Sequence, residues 1–408
     1  MHPGINSFSA ALRTRTRRFA LTFAFLLAGI LHAGCHPVAL EAYRFGPTEF
    51  KGAAVAHVHR RGSGYGSDST RELYRSLKEL GYNSVQLNTF AYQPRNQSLK
   101  LQWDDPTLTG EDLVREIKAA HASNLKVLLK PHIWVGGWSG DDPEHQWRSK
   151  IDFDDSRRLD AWFAEYARFM LPQARLAEEH GVVAFAVGTE LVGLTHSKND
   201  ARWRKLIREV RAVYSGRLTY ACEAWNAKNI SFWDDLDAVG LDFYYGYPPK
   251  GSAAKETDDT ANKGPAEPPT GVLAAYYRKK LTEHFSHAGG LGKPLWLTEI
   301  GFPSHDRAVQ TPHAWPDPAY AIDLELQSRA YEALHLALAG RGAATIQTET
   351  GEAAHQQPLY PEGMWIWKYT TSLDSYEQRN YARGFNMQDK PAERIIRRIF
   401  KDAPRRIK

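Results

Sequence analysis

Two acidic residues stand where an apolar run ends: Glu190 in Gly188-Thr189-Glu190, and Glu299 in Thr298-Glu299-Ile300-Gly301-Phe302. A carboxylate at the end of a buried segment is costly unless a partner or a cleft receives it. Each therefore marks either a salt-bridged rim or the wall of a site. Similar runs end in His57 and His59, in Asn88, in His132 and Trp134, in Glu223 and Trp225, in Asp242 and Tyr244, and in Trp365 and Trp367. Carboxylates gathered with imidazoles, an amide, a phenol and indoles suit the cleavage of glycosidic bonds. The transition state there is oxocarbenium-like, with an anion below the ring and a proton donor at the leaving oxygen. Aromatic planes suit the C–H faces of sugars, and 12 Trp with 19 Tyr in 408 residues is a high count. Aromatics also build cores, so the count tilts the reading without deciding it. The residues alone identify the carboxylate pair and leave the role of each member open.

For such ends to meet, the segments that carry them must run parallel. Apolar runs alternate with helical periodicity about eight times along the chain, which predicts a parallel α/β sheet. The runs are 53–56, 84–87, 126–129, 182–187, 218–222, 238–241, 294–297 and 364–367. Between them, Ser69-x-x-Glu72 predicts a capping box opening a helix that buries Leu73, Leu77 and Leu80 and stops at Gly81. Thr109 caps a helix burying Leu113, Ile117 and Ala120. Further helices are expected over about 157–179, from Asp200 to a stop at Gly216, over about 322–338, and after Pro391. Eight units in about 350 residues predict a (β/α)8 TIM barrel in one domain. An open doubly wound sheet is the runner-up, but no glycine-rich phosphate loop follows the first strand; Gly64-Tyr-Gly66 is not such a loop. In a barrel, the strand ends named above line one mouth. The expected organisation is a signal segment over 1–35, a linker over 36–50, the barrel over 51–400 and a basic tail over 401–408. Insertions at 249–271 and 341–361 interrupt the barrel, the first lid-like or disordered, the second a long polar loop.

A carboxylate pair on the fourth and seventh strands resembles the large clan of retaining barrel glycosidases, clan A. Within it the chain resembles glycoside hydrolase family 113, a β-mannanase family. The resemblance runs through Lys130-Pro-His132, Gly188-Thr-Glu-Leu191, Arg202-Trp-Arg-Lys-Leu-Ile207, Val210-Arg-Ala-Val-Tyr-Ser-Gly216, Leu218-Thr-Tyr-Ala221, Phe232-Trp-Asp-Asp-Leu-Asp237, Thr298-Glu-Ile-Gly301 and Lys390-Pro-Ala-Glu393. It covers about residues 51–395, and the order and spacing of the pieces carry it. It implies Glu190 as acid/base, Glu299 as nucleophile, double displacement on a β-1,4-mannan-type polymer, and no cofactor or metal. In such enzymes the carboxyl groups lie ~5–5.5 Å apart. Glu190 is then expected to be protonated at rest, raised by burial and a nearby anion, and Glu299 ionised with Tyr244 donating to it. His132 contacts a sugar hydroxyl or is a satisfied structural histidine. One of Trp365 and Trp367, which share a strand face, stacks on the sugar; Trp367, nearer the strand end, is the choice. Trp225, Asn88 and Trp134 complete the expected substrate-binding set. Thr189 stands where most of the clan has the Asn that binds the 2-hydroxyl. Cys222-Glu-Ala-Trp225 also departs from the family's text, and Glu223 is either an extra subsite carboxylate or a rim charge.

Two rival readings use the same residues. His57-x-His59 after the first strand suits a metal-dependent amidohydrolase, but the later strand ends offer Glu190, Cys222 or Glu223, Asp242 and Trp367 in place of its remaining ligands. The other rival is a non-catalytic or weakly active polysaccharide-binding lipoprotein on the same barrel, disfavoured because both carboxylates are present.

The formal net charge of +5 includes Arg13, Arg15, Arg17 and Arg18 in a leader without Asp, Glu or Lys. Without them it is +1, which gives no electrostatic case for nucleic acid. The basic stretch is followed by the apolar run 19–31 and by Ala33-Gly34-Cys35, the pattern of an export signal. Ala-Gly-Cys resembles a bacterial lipobox, which implies lipidation of Cys35; cleavage after Ala33 is the other reading, since His32 departs from the usual aliphatic residue. The expected location is periplasmic or outer-membrane-anchored, with membrane contact only through the lipid. The other cysteine, Cys222, lies in an apolar run and reads as a buried, inert thiol.

Overall fold

The computed structural model describes residues 47–136, 147–248, 268–341, 357–372 and 381–404. All lie in one unit, Val38–Lys408. The expected signal segment, Cys35 and most of the linker fall outside the described residues, as do most of both insertions and residues 405–408 of the tail.

Among the described residues ten strands form, in chain order β1 (Phe50–Ala56), β2 (Ser84–Leu87), β3 (Phe90–Gln93), β4 (Lys126–Leu129), β5 (His132–Val135), β6 (Ala184–Thr189), β7 (Arg217–Glu223), β8 (Ala238–Asp242), β9 (Leu295–Ile300) and β10 (Gly363–Thr370). Eight of them close in the order β1-β10-β9-β8-β7-β6-β4-β2, all pairs parallel. The (β/α)8 barrel is therefore present. Beyond the expected runs, β3 and β5 pair with each other as a two-stranded parallel sheet, His132 opposite Phe90 and Trp134 opposite Tyr92. The chain stays extended past the ends of β2 and β4, so His132 and Trp134 sit on a strand rather than a loop.

The helices are α1 (Ser69–Leu80), α2 (Gly110–Ala122), α3 (Ser156–Glu179), α4 (Asp200–Arg211), α5 (Thr270–Gly290), α6 (Leu324–Ala339) and α7 (Glu393–Asp402). The box expected at Ser69 does not form. Asp68 already has helical dihedrals and makes no side-chain cap, so Ser69 falls inside the helix with its hydroxyl 2.8 Å from Ser67 Oγ. A full capping box forms instead at Thr109 and Asp112, satisfying two backbone donors reciprocally. Gly81 stops α1 at φ +96°, a conformation open to glycine. Helix α4 ends five residues before Gly216; the chain turns there to bury Tyr214, whose hydroxyl donates to Val182 O at 2.8 Å. The insertion expected to run to 271 gives way to α5 at Thr270, and the tail's Lys401 closes α7.

The N-terminal end of the barrel is plugged by Phe50, Trp296 and Trp365, with Leu128, Ala184 and Ala238. Phe50 stacks on Trp365 at 5.5 Å and meets Trp296 edge-on at 5.3 Å. Gly52 is required on β1 because a Cβ there would lie 2.0 Å from the Trp365 ring. Trp365 thus belongs to the barrel floor and Trp367, two residues on, is only half-buried near the opposite end. Truncating the floor should leave a cavity that parallel strands cannot collapse into. Trp365→Ala is expected to cost about 3–5 kcal/mol, read as a lowered urea midpoint; a midpoint within error of the parent would show that the floor is not packed as described.

Candidate active site

Glu190 leaves the end of β6 in the left-handed region, φ +51°, which is uncommon for a residue with a side chain and costs energy unless its surroundings fix it. They do so from β7: Glu190 N–H donates to Ala221 O at 2.8 Å, and Leu191 N–H donates to Tyr220 Oη at 2.8 Å. The carboxylate is 8% exposed and accepts from Arg148 Nη2 at 2.7 Å. Arg148 is itself buried and lies 4.1 Å over the Trp147 ring. Thr189, where a 2-hydroxyl contact would be sought, donates its hydroxyl to Pro131 O at 3.1 Å and so ties β6 to the chain after β4.

Glu299, on β9, sits in a denser network. Lys130 Nζ donates to its Oε1 at 2.6 Å and to both oxygens of Asp242 at 2.9 Å. Tyr244 Oη donates to Glu299 Oε2 at 3.0 Å, the contact expected of it, and Thr298 Oγ1 donates to Asp242 at 2.7 Å. The Lys130 side chain has no exposed surface. Burial works against its charge, but the two carboxylates outweigh burial and hold its pKa above the ordinary lysine value. Burial and then the Glu299 charge push Asp242 up to about 8, against the pull of Lys130. The same two causes, in the same order, push the Tyr244 phenol well above its ordinary value, keeping it a donor.

The other expected residues distribute around this core. His132 Nε2 lies 4.0 Å from Glu299 Oε1, and burial followed by Arg148 and Lys130 keeps the ring neutral. That nitrogen is buried without a hydrogen-bond partner among the described residues, which is not the state of a satisfied structural histidine. Asn88 Nδ2 and Glu223 Oε2 are likewise buried and unpartnered. Burial and then the Glu190 charge raise Glu223 well above the usual carboxylate range. Trp134 packs edge-on against Trp147 at 5.9 Å and Trp315 at 6.3 Å, and Lys368 Nζ lies 5.4 Å from the Trp315 ring and 5.8 Å from Trp367. Trp134, Trp147, Trp315 and Trp367 thus make an aromatic wall. Trp225 stands apart on the short turn Ala224–Asn229, 55% exposed. Cys222 is wholly buried with its thiol pushed up by burial.

Sequence reasoning missed Lys130, Arg148, Trp147, Trp315 and Lys368 as members of the site. Lys130 carried the same signal as the carboxylates, a charge ending an apolar run. Nothing local marks Arg148.

The ligand atoms of His57, His59 and Asp105 approach within 4.8 Å of one another. Hydrogen-bond direction decides their state. Tyr65 N–H donates to His57 Nδ1 at 3.0 Å, so that nitrogen holds the lone pair and the proton is on Nε2, 3.2 Å from Thr107 Oγ1. The Thr107 hydroxyl in turn donates to Asp105 Oδ1 at 2.6 Å. His57 therefore offers no spare lone pair; the group is a hydrogen-bond chain running from Tyr65 through His57 and Thr107 to Asp105, whose other oxygen lies 3.4 Å from His59 Nδ1.

The model of the family described as Glycoside Hydrolase Family 113 matches residues 55–342. Among curated proteins, none matches the chain. Among solved structures, a GH113 β-mannanase from Alicyclobacillus acidocaldarius in complex with ManMIm is 24% identical, with 88% of this chain and 98% of that chain covered at a TM-score of 0.67. A GH113 β-1,4-mannanase complex is 22% identical, covering 86% and 98% at a TM-score of 0.67.

Burial, then His59, hold His57 at about 3, whereas in an unfolded chain it takes a proton near 6.5. Between those values the unfolded state binds the extra proton, so His57 opposes folding increasingly as pH falls from 6.5 toward 3. His57→Asn should make the loss of urea resistance between pH 7 and pH 4.5 shallower than in the parent. An unchanged slope would mean that the imidazole is not held neutral.

Proposed function

The chain belongs to glycoside hydrolase family 113, and from that membership and the site's geometry we propose that it is a retaining β-glycosidase acting on a β-1,4-mannan-type polysaccharide or oligosaccharide. The observation that carries the proposal is the pairing of carboxylates from β6 and β9 in one mouth, each held by its own cation and set among shared neighbours. Asp242 and Tyr244 both feel the charges of Glu190 and Glu299. The solved β-mannanases of the same family support the choice of polymer.

In the first step the Glu299 carboxylate attacks the anomeric carbon. The glycosidic C–O bond breaks and Glu190 gives its proton to the leaving oxygen. In the second, Glu190, now a carboxylate held by Arg148, takes a proton from water, whose oxygen displaces Glu299. The aromatic wall presents planes for sugar rings, and the unpartnered groups on Asn88 and His132 are placed to meet hydroxyls.

We further propose, from the leader alone, that the protein is exported and anchored through a lipid on Cys35. Among the described residues no helix is long and apolar enough to cross a membrane.

Glu299→Ala should abolish hydrolysis of every substrate. Glu190→Ala should lose about 10²–10⁴-fold on polysaccharide while sparing activated aryl glycosides, whose leaving groups need little protonation. Equal losses on both would count against the assigned roles. Products from mannan, glucomannan and other soluble β-glycans, followed by anomeric proton NMR, test polymer and stereochemistry together: an initially α-configured product would rule out retention. Cys35→Ser should release the protein from the membrane fraction and abolish palmitate labelling; labelling that persists would refute lipidation.

A further inference from the structure

We propose that Lys130 drives the second half of the reaction by making the Glu299 carboxylate a good leaving group when the glycosyl-enzyme is hydrolysed. The inference rests on the double-displacement reading above and assigns the two half-reactions different dependences on one side chain.

The geometry sets Lys130 apart from the other groups on Glu299. Its Nζ is the cation in contact with that carboxylate, 2.6 Å from Oε1, while Tyr244 on Oε2 is a neutral donor. Its aim is fixed: both Asp242 oxygens accept from it at 2.9 Å, and Thr298 holds Asp242 in turn. The side chain is wholly enclosed, so water screens the contact little and the charge acts at close range.

The charge on Glu299 changes in opposite senses in the two steps. When the C1–O bond to Glu299 forms, the carboxylate becomes a neutral ester and the attraction to Lys130 is lost. When water attacks C1, that bond breaks, its electron pair returns to the carboxylate, and the attraction is regained. A fixed ammonium therefore gives no help to the first step and lowers the barrier of the second, where negative charge develops against it. Lys130 acts through Glu299, as a positioning residue with an electrostatic role.

Lys130→Met alone leaves two buried carboxylates facing each other and can fail to fold. The informative comparison is Asp242→Asn against Lys130→Met/Asp242→Asn, two proteins that differ only in the cation. The probe is 2,4-dinitrophenyl β-mannobioside, or the corresponding cellobioside if that is turned over faster. The double variant should show kcat and KM falling together by about tenfold or more relative to Asp242→Asn, with kcat/KM held within about twofold. It should also release a burst of about one equivalent of dinitrophenolate, and mass spectrometry should find the glycosyl group on the peptide containing Glu299. A parallel fall of kcat and kcat/KM with no burst overturns the role of Lys130 and leaves double displacement standing. An inverted product from the parent enzyme overturns double displacement and this inference together.

Discussion

Among the described residues four carboxyl groups share the mouth of this barrel with Lys130 and Arg148, the cations that contact them, and the charge balance among these groups constrains everything built around it. Glu190, Glu223, Asp242 and Glu299 would carry four negative charges if all were ionised, against Lys130 and Arg148. Burial and their neighbours' charges push Asp242 and Glu223 toward the neutral form. The other two carboxyl groups each meet one cation, Glu190 with Arg148 and Glu299 with Lys130. Breaking a buried pair by removing one partner typically costs ~3–5 kcal/mol, so each of these two carboxylates is tied to a structural requirement for its cation.

The two carboxylates are nevertheless held differently. Glu299 lies within β9 and takes its position from regular strand geometry, with donors on both oxygens. Glu190 lies one residue past β6 in a left-handed conformation fixed by Ala221 and Tyr220 of the neighbouring strand. The residue proposed as nucleophile is thus anchored at a rigid point. The proposed acid/base projects from a turn, where its side chain leaves the alternation of the strand.

The two ends of the barrel divide the physical work. The floor is apolar and aromatic, with Phe50, Trp296 and Trp365 interlocked and a glycine on β1 giving them room. That packing excludes water from below, so the charged groups above it interact in a poorly screened environment. Among the described residues, the mouth keeps buried polar atoms on Asn88, His132 and Glu223 without partners, a cost that ordinary packing removes and that binding surfaces retain.

Local sequence determined the strands and most helices, because period and run length are properties of neighbouring residues. The runs at 84–87 and 126–129 coincide with β2 and β4, and Glu190 and Glu299 were legible because a charge that ends an apolar run must be received by something. The same logic applied to Lys130 would have placed it in the site; its partners could not be named, since Asp242 and Glu299 lie 112 and 169 residues away. The capping box at Ser69 failed because the preceding turn, held by contacts within residues 67–70, already belonged to the helix. Only closure of the barrel decided that Trp365 is floor while Trp367 is wall, and that Arg148 meets Glu190. These are meetings between elements distant in the chain, and no local propensity encodes the depth or direction at which a side chain arrives.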